Sequence, residues 1–216
     1  MYIMAINYDF FKRKEMKDFL RNQFLTGFIV IVVGVYLVRK DISPLYSSIA
    51  ILGLYYYSYF IHRAYHYIPE SMNPHMIHHK NKTLARAINL SIECLTDTSF
   101  FVALYFFQKL IGIKVFPDIL ILYYGIIYVS VHIINFSIFG DKNHKKHHNE
   151  KDKKYCNYGP DPIDHFMNTN CDNKWEDMTH HLPNVLISYA ICDYLYNKKI
   201  DINNNILISI VVKLKC

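Results

Sequence analysis

Histidine spacing is the feature of this chain that could support chemistry. Three short segments, HRAYH, HMIHH and HKKHH, place histidines three or four residues apart. Side chains at that spacing lie on one face of a helix, so each segment can direct two or three imidazoles toward a common point. The histidines concerned are His62 and His66, then His75, His78 and His79, and finally His144, His147 and His148.

A further histidine, His132, lies inside an apolar run, where an ionisable side chain is costly and indicates a functional role. Neutral imidazole is the most common metal ligand in proteins, and eight or nine converging imidazoles exceed what one zinc ion can bind. The sequence therefore predicts two metal ions. Nitrogen-rich coordination without cysteine favours iron. No Glu-x-x-His or HExxH motif is present, which excludes the soluble di-iron bundles and zinc proteases that carry them.

Each segment alone has a simpler interpretation. HRAYH could be a pair of histidines at a membrane interface, and HKKHH could be a solvated basic face. The metal interpretation depends on three segments with one spacing, all on one side of the topology predicted below.

Five other polar residues are weaker candidates. His165 is expected to support ligands or to lie at the surface, whereas His180 or His181 could supply a further ligand. Asp164 and Asn135 could accept the second N–H of a ligand imidazole, and ordinary structural hydrogen bonds are an equal alternative for both.

Four apolar runs must position these histidines, because about 20 apolar residues cross a bilayer core as a helix. They are residues 24–38 (extendable back to 19), 45–61, 99–113 and 119–139. Short turns with Pro44 and Pro117 connect them in pairs, which predicts two helical hairpins. Two later runs, 185–196 and 206–212, are too short to span and are expected to pack on the bundle or lie at the interface.

Two hairpins bring the N-terminus, residues 62–98 and the chain after Gly140 to one side of the membrane. That side carries sixteen lysines and arginines, against four at or near the other side. The positive-inside rule makes the histidine side cytosolic. We thus predict an all-α integral membrane bundle of about four transmembrane helices with a cytosolic metal-binding cap.

Composition agrees with one ordered membrane domain over residues 1–216. The chain is 52% hydrophobic and 19% charged, which excludes a disordered chain, a coiled coil and a collagen-like fibre. Its net charge of +6 comes from residues that flank the apolar runs, so a nucleic-acid partner is not expected. Five cysteines without a Cys-x-x-Cys pair predict reduced thiols and no disulfide framework.

The three segments resemble the histidine boxes of the membrane-bound fatty acid hydroxylase and sterol desaturase superfamily, and CNYGPDPIDHFMNT is similar to the segment after its third box. The resemblance covers about residues 45–170. It implies an endoplasmic-reticulum enzyme of lipid biosynthesis with a non-haem di-iron centre. Such an enzyme hydroxylates or desaturates a sterol or fatty acyl lipid with dioxygen and electrons from a cytochrome b5 type donor. The implied iron ligands are the eight box histidines, with His132 matching an extra histidine on the helix before the last box.

The chain departs from the family pattern at several positions. Phe136 stands where some members have a second helix histidine, Ile163 replaces a tryptophan, and Asn168 replaces a glycine. Two alternatives of another class stay open: a membrane metal-binding or metal-transport protein, and an inactive structural homologue. A transporter would require histidines distributed across the bilayer. An inactive homologue would be expected to lack some of the box histidines, whereas all three boxes are complete.

Overall fold

The structure, a computed structural model, describes residues 13–76, 85–140, 142–149, 156–172 and 174–198. Every regular element in these residues is a helix, which confirms the all-α prediction. The α-helices are α1 (Arg13–Phe19), α2 (Leu25–Val38), α3 (Pro44–Tyr65), α4 (Arg86–Ile111), α5 (Asp118–Ser130), α6 (Lys142–Asn149), α7 (Asp161–Met167) and α8 (Leu182–Asn197). Two π-helical segments, Leu20–Phe24 and Val131–Ile138, join α1 to α2 and extend α5, and 3₁₀ turns cover Glu70–Met72 and Met178–His181.

The first predicted hairpin consists of α2 and α3, which pack against each other. Ser43 caps α3 because its hydroxyl accepts the Tyr46 amide N–H at 3.3 Å, and Pro44 occupies the first turn, where no N–H is needed. The helices approach closely at Gly34, where an added Cβ would lie 2.5 Å from Ile51 Cδ1 and 3.0 Å from the Tyr123 ring.

The second hairpin consists of α4 and α5, which also pack together. Gly112 ends α4 in the left-handed conformation at φ 67°, and Pro117 precedes α5. The prediction that this hairpin begins at residue 99 is wrong, because α4 already begins at Arg86. Its first half carries Glu93 and Asp97, whose buried side chains face the bundle and therefore do not end the helix.

Within the part of the chain that the structure describes, three helices are long and apolar enough to cross a membrane: Met16–Val38, Arg86–Ile111 and Asp118–Ile138. These helices support an integral membrane protein. With 22 residues, α3 is long enough, but serines, tyrosines and the HRAYH segment lower its hydropathy. The fourth predicted span therefore stays a prediction.

The two hairpin turns lie at the same end of the bundle, as the topology predicts. Tyr46 donates its hydroxyl to the Val115 carbonyl at 2.6 Å, which ties the start of α3 to the α4–α5 turn. Helix α8 packs against α2 and α5 and buries Val185 and Cys192, which confirms packing on the bundle for this short run. The run 206–212 lies outside the described residues. Because α3 and α5 both start at the turn end, they deliver His62 and His132 to the opposite end.

Candidate metal centre

Four histidines from three helical regions form the first cluster at this end of the bundle. His62 and His66 come from the end of α3, His75 from the segment after it, and His147 from α6. The His75 Nε2 atom lies 3.1 Å from the Nε2 atoms of both His62 and His66. Neighbouring nitrogen ligands of one ion, each about 2.1 Å from it, lie roughly 3.0 to 3.4 Å apart, so these nitrogens are spaced as ligands of a shared ion.

Backbone carbonyls orient two of these imidazoles. His62 Nδ1 lies 2.7 Å from the Tyr158 carbonyl oxygen, and His147 Nδ1 lies 2.6 Å from the Cys156 carbonyl oxygen. Because a carbonyl only accepts, Nδ1 carries the proton in each ring and the lone pair is on Nε2. Burial, followed by electrostatic repulsion from His147, lowers the pKa of His66 to about 2, so the imidazole of His66 is also neutral, as a metal ligand must be.

Asp164 holds the loop that supplies these carbonyls. Its carboxylate accepts hydrogen bonds from the Tyr158 and Gly159 amides and from the Thr169 hydroxyl. Burial raises the pKa of Asp164 to about 8. The three hydrogen-bond donors favour the charged form and therefore oppose this rise. The sequence left two roles open for Asp164: accepting an imidazole N–H or making structural hydrogen bonds. The described contacts support the structural role, in which Asp164 orients imidazoles only through the loop backbone.

A disulfide between Cys156 and Cys171 closes the same loop. The expectation of reduced thiols is therefore wrong for these two cysteines, whereas Cys94 and Cys192 are free. The pairing could not be read from the spacing, because the loop fold brings residues 15 apart together. Asn157 contributes to this fold, since its amide donates to the Thr169 carbonyl and its side-chain oxygen accepts the Cys171 N–H.

A second cluster joins α4, the π-helical segment after α5, and α6. His132 Nε2 lies 3.1 Å from Glu93 Oε1, and His144 Nε2 lies 3.7 Å from the same oxygen. His148 adjoins this group, with its Nε2 2.8 Å from that of His144. The π-helical geometry begins one residue before His132, and such local widenings of a helix are frequent at functional sites.

Carboxylates at this cluster are the main feature that the sequence analysis missed. Glu93 is completely buried, and Asp97 Oδ2 lies 2.7 Å from His132 Nδ1. His132 is therefore placed between two acids one helical turn apart. The spacing of Glu93 and Asp97 could have indicated this, because two acids at i and i+4 within an apolar helix are costly unless they face a partner.

A third group of ligand-type side chains lies nearby. Glu176, His180 and His181 bring their donor atoms within 4.8 Å of one another. Burial, followed by the charge of His180, lowers the pKa of His181 to about 3, and the charge of Asp177 opposes this shift. His165 joins none of these groups among the described residues. Its ring stacks on Trp175 at 3.7 Å, and its Nε2 lies 3.6 Å from Asp161.

Seven of the nine predicted metal residues thus meet in the first two clusters. His78 and His79 lie outside the described residues. Asn135, the other predicted supporting residue, donates its side-chain N–H to the His180 carbonyl at 2.9 Å. The donor set, four imidazoles in one cluster and imidazoles with a carboxylate in the other, fits divalent transition ions.

A cavity of about 100 Å³ adjoins both clusters. His62, His132 and His144 contribute to its wall, and most of the remaining wall is aromatic or aliphatic. The residues lining this part include Val30, Tyr55, Tyr124, Ile127, Tyr128, Val131 and Phe136. Because about 10 to 15 Å³ of such volume is enough for one water molecule, the cavity has room for several waters or a short hydrocarbon segment.

Comparison with known proteins supports the family resemblance. A family model described as fatty acid hydroxylase matches residues 47–169, which is more than half of the chain. The matched region begins in α3 and ends at Thr169, so it contains both clusters and the loop that orients their imidazoles. No curated protein and no solved structure matches the chain.

Proposed function

This chain belongs to the fatty acid hydroxylase family, and from this premise we propose that it is a membrane-bound non-haem di-iron oxidoreductase. Its proposed reaction is the hydroxylation or desaturation of a sterol or fatty acyl lipid with dioxygen, as a step in lipid biosynthesis. The observation that carries the proposal is the pair of adjoining histidine clusters at one apolar cavity.

The two clusters are the proposed sites of the two iron ions. His62, His66, His75 and His147 would hold the first ion. Glu93, His132, His144 and His148 would hold the second, and His78 and His79 remain predicted ligands. When bound, the ions would supply the dioxygen activation that cleavage of an unactivated C–H bond needs.

The protein's own contribution is to orient the ligands and exclude water. The carbonyls of Tyr158 and Cys156 lie at Nδ1 of His62 and His147, and Asp97 lies at Nδ1 of His132, so Nε2 would be the ligand atom of each imidazole. Tyr128 places its hydroxyl 3.3 Å from His62 Nδ1, at the cavity wall. Such supporting groups commonly change metal affinity 10- to 100-fold.

The size and lining of the cavity suit the reacting segment of a lipid. Its apolar side chains favour methylene groups over water, and its volume excludes a complete lipid. The rest of the substrate would extend into the membrane between helices. An apolar site that keeps bulk water away also protects reactive oxygen species from side reactions.

An external electron donor completes the proposal. We assign this role to a cytochrome b5 type protein, because α6 and the following residues carry lysines that would attract an acidic partner. Lys146 pairs with Asp172, and the sequence places Lys142, Lys145, Lys151, Lys153 and Lys154 close to it along the chain. We also propose an endoplasmic-reticulum location with the histidine end toward the cytosol, which the charge distribution supports.

Lipid analysis of a yeast strain with and without the protein tests the proposed reaction. The wild-type chain should produce a hydroxylated or newly unsaturated lipid that the empty strain lacks. His66→Ala, His79→Ala and His148→Ala should each abolish this product while the protein still inserts into membranes. Near-normal product from two of the three variants would contradict the ligand assignment.

Metal transport is the alternative from another class. A transport path needs ligands distributed across the bilayer, whereas the described histidines of both clusters lie at the end of the bundle opposite the hairpin turns. Ion flux into proteoliposomes without lipid oxidation would favour transport over the proposed enzyme.

A further inference from the structure

We infer that Glu176, His180 and His181 form a third metal site, separate from the two proposed iron sites, which takes a divalent ion of the zinc type. None of these residues is in a histidine box, although Glu176 and His181 also line the cavity beside the two clusters. Metal binding at this group is measured without lipid oxidation, so the inference is tested separately from the proposed function.

The distances among the three donors fit one ion. Glu176 Oε1 lies 3.9 Å from His180 Nε2 and 3.8 Å from His181 Nε2. These separations exceed hydrogen-bond length and are about 0.5 Å longer than the roughly 3.4 Å between tetrahedral ligands that each lie about 2.1 Å from one ion. An ion between the oxygen and the nitrogens would thus require only small side-chain movements.

His181 is the side chain that most needs such a partner. It is 4% exposed, and its Nε2 makes no hydrogen bond within the described residues. A buried polar atom without a hydrogen bond costs roughly 1 to 3 kcal/mol. Because this nitrogen is directed at Glu176, an ion bound between them would remove that cost.

Phe136 separates this group from the second cluster. Its ring stacks on His144 at 5.2 Å and meets the His181 ring edge-on at 5.6 Å. The aromatic ring therefore lies between the two sets of ligands. An ion held by His181 would be distinct from one held by His144.

Hydrogen bonds from three elements fix the backbone that carries the site. Gln23 donates its side-chain N–H to the Glu176 carbonyl, and Asp161 accepts the Glu176 amide N–H at 2.9 Å. Asn135 donates its side-chain N–H to the His180 carbonyl at 2.9 Å. The ligands are thus positioned before an ion arrives, which lowers the entropy cost of binding.

The donor set and exposure indicate the kind of ion. Two imidazoles and one carboxylate, with a fourth position open to water, are the ligands of many zinc sites with an open position. The His180 side chain is 41% exposed, so the ion can enter and leave from solvent. We expect an exchangeable site, bound more weakly than the buried histidine clusters.

Titration with Co²⁺ tests the site, because this ion reports tetrahedral coordination by its visible absorption. Purified full-length protein in detergent, treated briefly with chelator to remove loosely bound ions, should bind one exchangeable Co²⁺. His180→Ala and Glu176→Gln should weaken this binding more than about 100-fold, since each removes a direct ligand. Thr179→Ala, an exposed neighbour that is not a ligand, should bind Co²⁺ like the wild type.

Wild-type Co²⁺ affinity in both ligand variants would overturn the inference. Equal loss in Thr179→Ala would also overturn it, because the binding would then depend on local folding and not on these ligands. His180 lies on the surface, so His180→Ala is expected to fold, and a thermal melt checks this. Lipid oxidation by the same variant is measured separately and should persist.

Discussion

The third histidine box divides its side chains between the two clusters. Successive helical residues are about 100° apart around the axis, so His147 and His148 point about 100° apart, with His144 between them. His147 accordingly joins the first cluster, whereas His144 and His148 join the second. The metal-binding role of this box stays a prediction, and its described members reach two adjoining clusters instead of one common point.

The carboxylates at His132 show what the spacing could not predict. Glu93 and His132 are far apart in sequence and meet only because α4 and α5 form a hairpin. The pattern of apolar runs predicts the hairpin itself. It does not predict which faces of the helices meet, because that depends on side-chain packing along both helices.

Asp97 is expected to stabilise the second metal position through His132. Asp97→Asn removes the charged acceptor of Nδ1, so the affinity of the second cluster for its metal should fall about 10- to 100-fold. The first cluster should keep its metal. Metal content after timed exposure to a chelator measures this, with the exposed neighbour Thr98→Ala as control. Equal metal loss from Asp97→Asn and Thr98→Ala would contradict the role of Asp97.

His165 should make stability depend on pH. Burial lowers its pKa to about 4, below its ordinary value near 6.5. The unfolded chain therefore binds the His165 proton more tightly than the folded chain does. The contribution of His165 to the free energy of unfolding is complete above pH 6.5 and is lost as pH falls toward 4. The loss should reach up to about 3 kcal/mol.

His165→Phe keeps an aromatic ring to stack on Trp175 but cannot titrate. The difference in unfolding free energy between the wild type and this variant should therefore change across pH 6.5 to 4. Thermal melts in detergent at several pH values provide the measurement. A constant difference over that range would show that His165 is not the titrating group.

Helix packing depends on close approach at one glycine of α2. Gly34 faces Ile51 and Tyr123, which are both completely buried. Gly34→Val should overpack this contact and destabilise the bundle by about 1 to 3 kcal/mol. Gly27, in the same helix, has no atom within 4 Å of an added Cβ, so Gly27→Val is the matched control. Equal melting temperatures for the two variants would contradict the packing described.

Apolar runs predicted most helices but misplaced one boundary. The starts of α3 and α5 follow from Pro44 and Pro117, whose local effects are strong. The start of α4 was predicted too late, because buried acids in its first half look like the end of an apolar run. A sequence criterion that treats every charge as exposed cannot recognise a helix that carries its charges inward.

Two features of the complete molecule favour different compartments for the histidine end. The distribution of lysines and arginines favours the cytosol, whereas disulfides such as Cys156–Cys171 are rare there. We retain the cytosolic prediction, because the charge rule applies to the whole topology. Short tags inserted near Asn81 and Lys153 should then both be inaccessible to luminal glycosylation. Glycosylation at both positions would reverse the orientation, and glycosylation at one would contradict the second hairpin.

The iron content of the His180→Ala variant decides whether the histidine clusters form a two-metal centre. This variant lacks the proposed third site, so of the three groups found in the described residues only the two clusters can still bind an ion. Protein purified from iron-supplemented cells should contain two iron ions per chain. The double variant that also carries His147→Ala should lack the ion of the first cluster and contain one iron ion per chain. One ion or none in the parent variant, with normal folding, would contradict the two-metal centre.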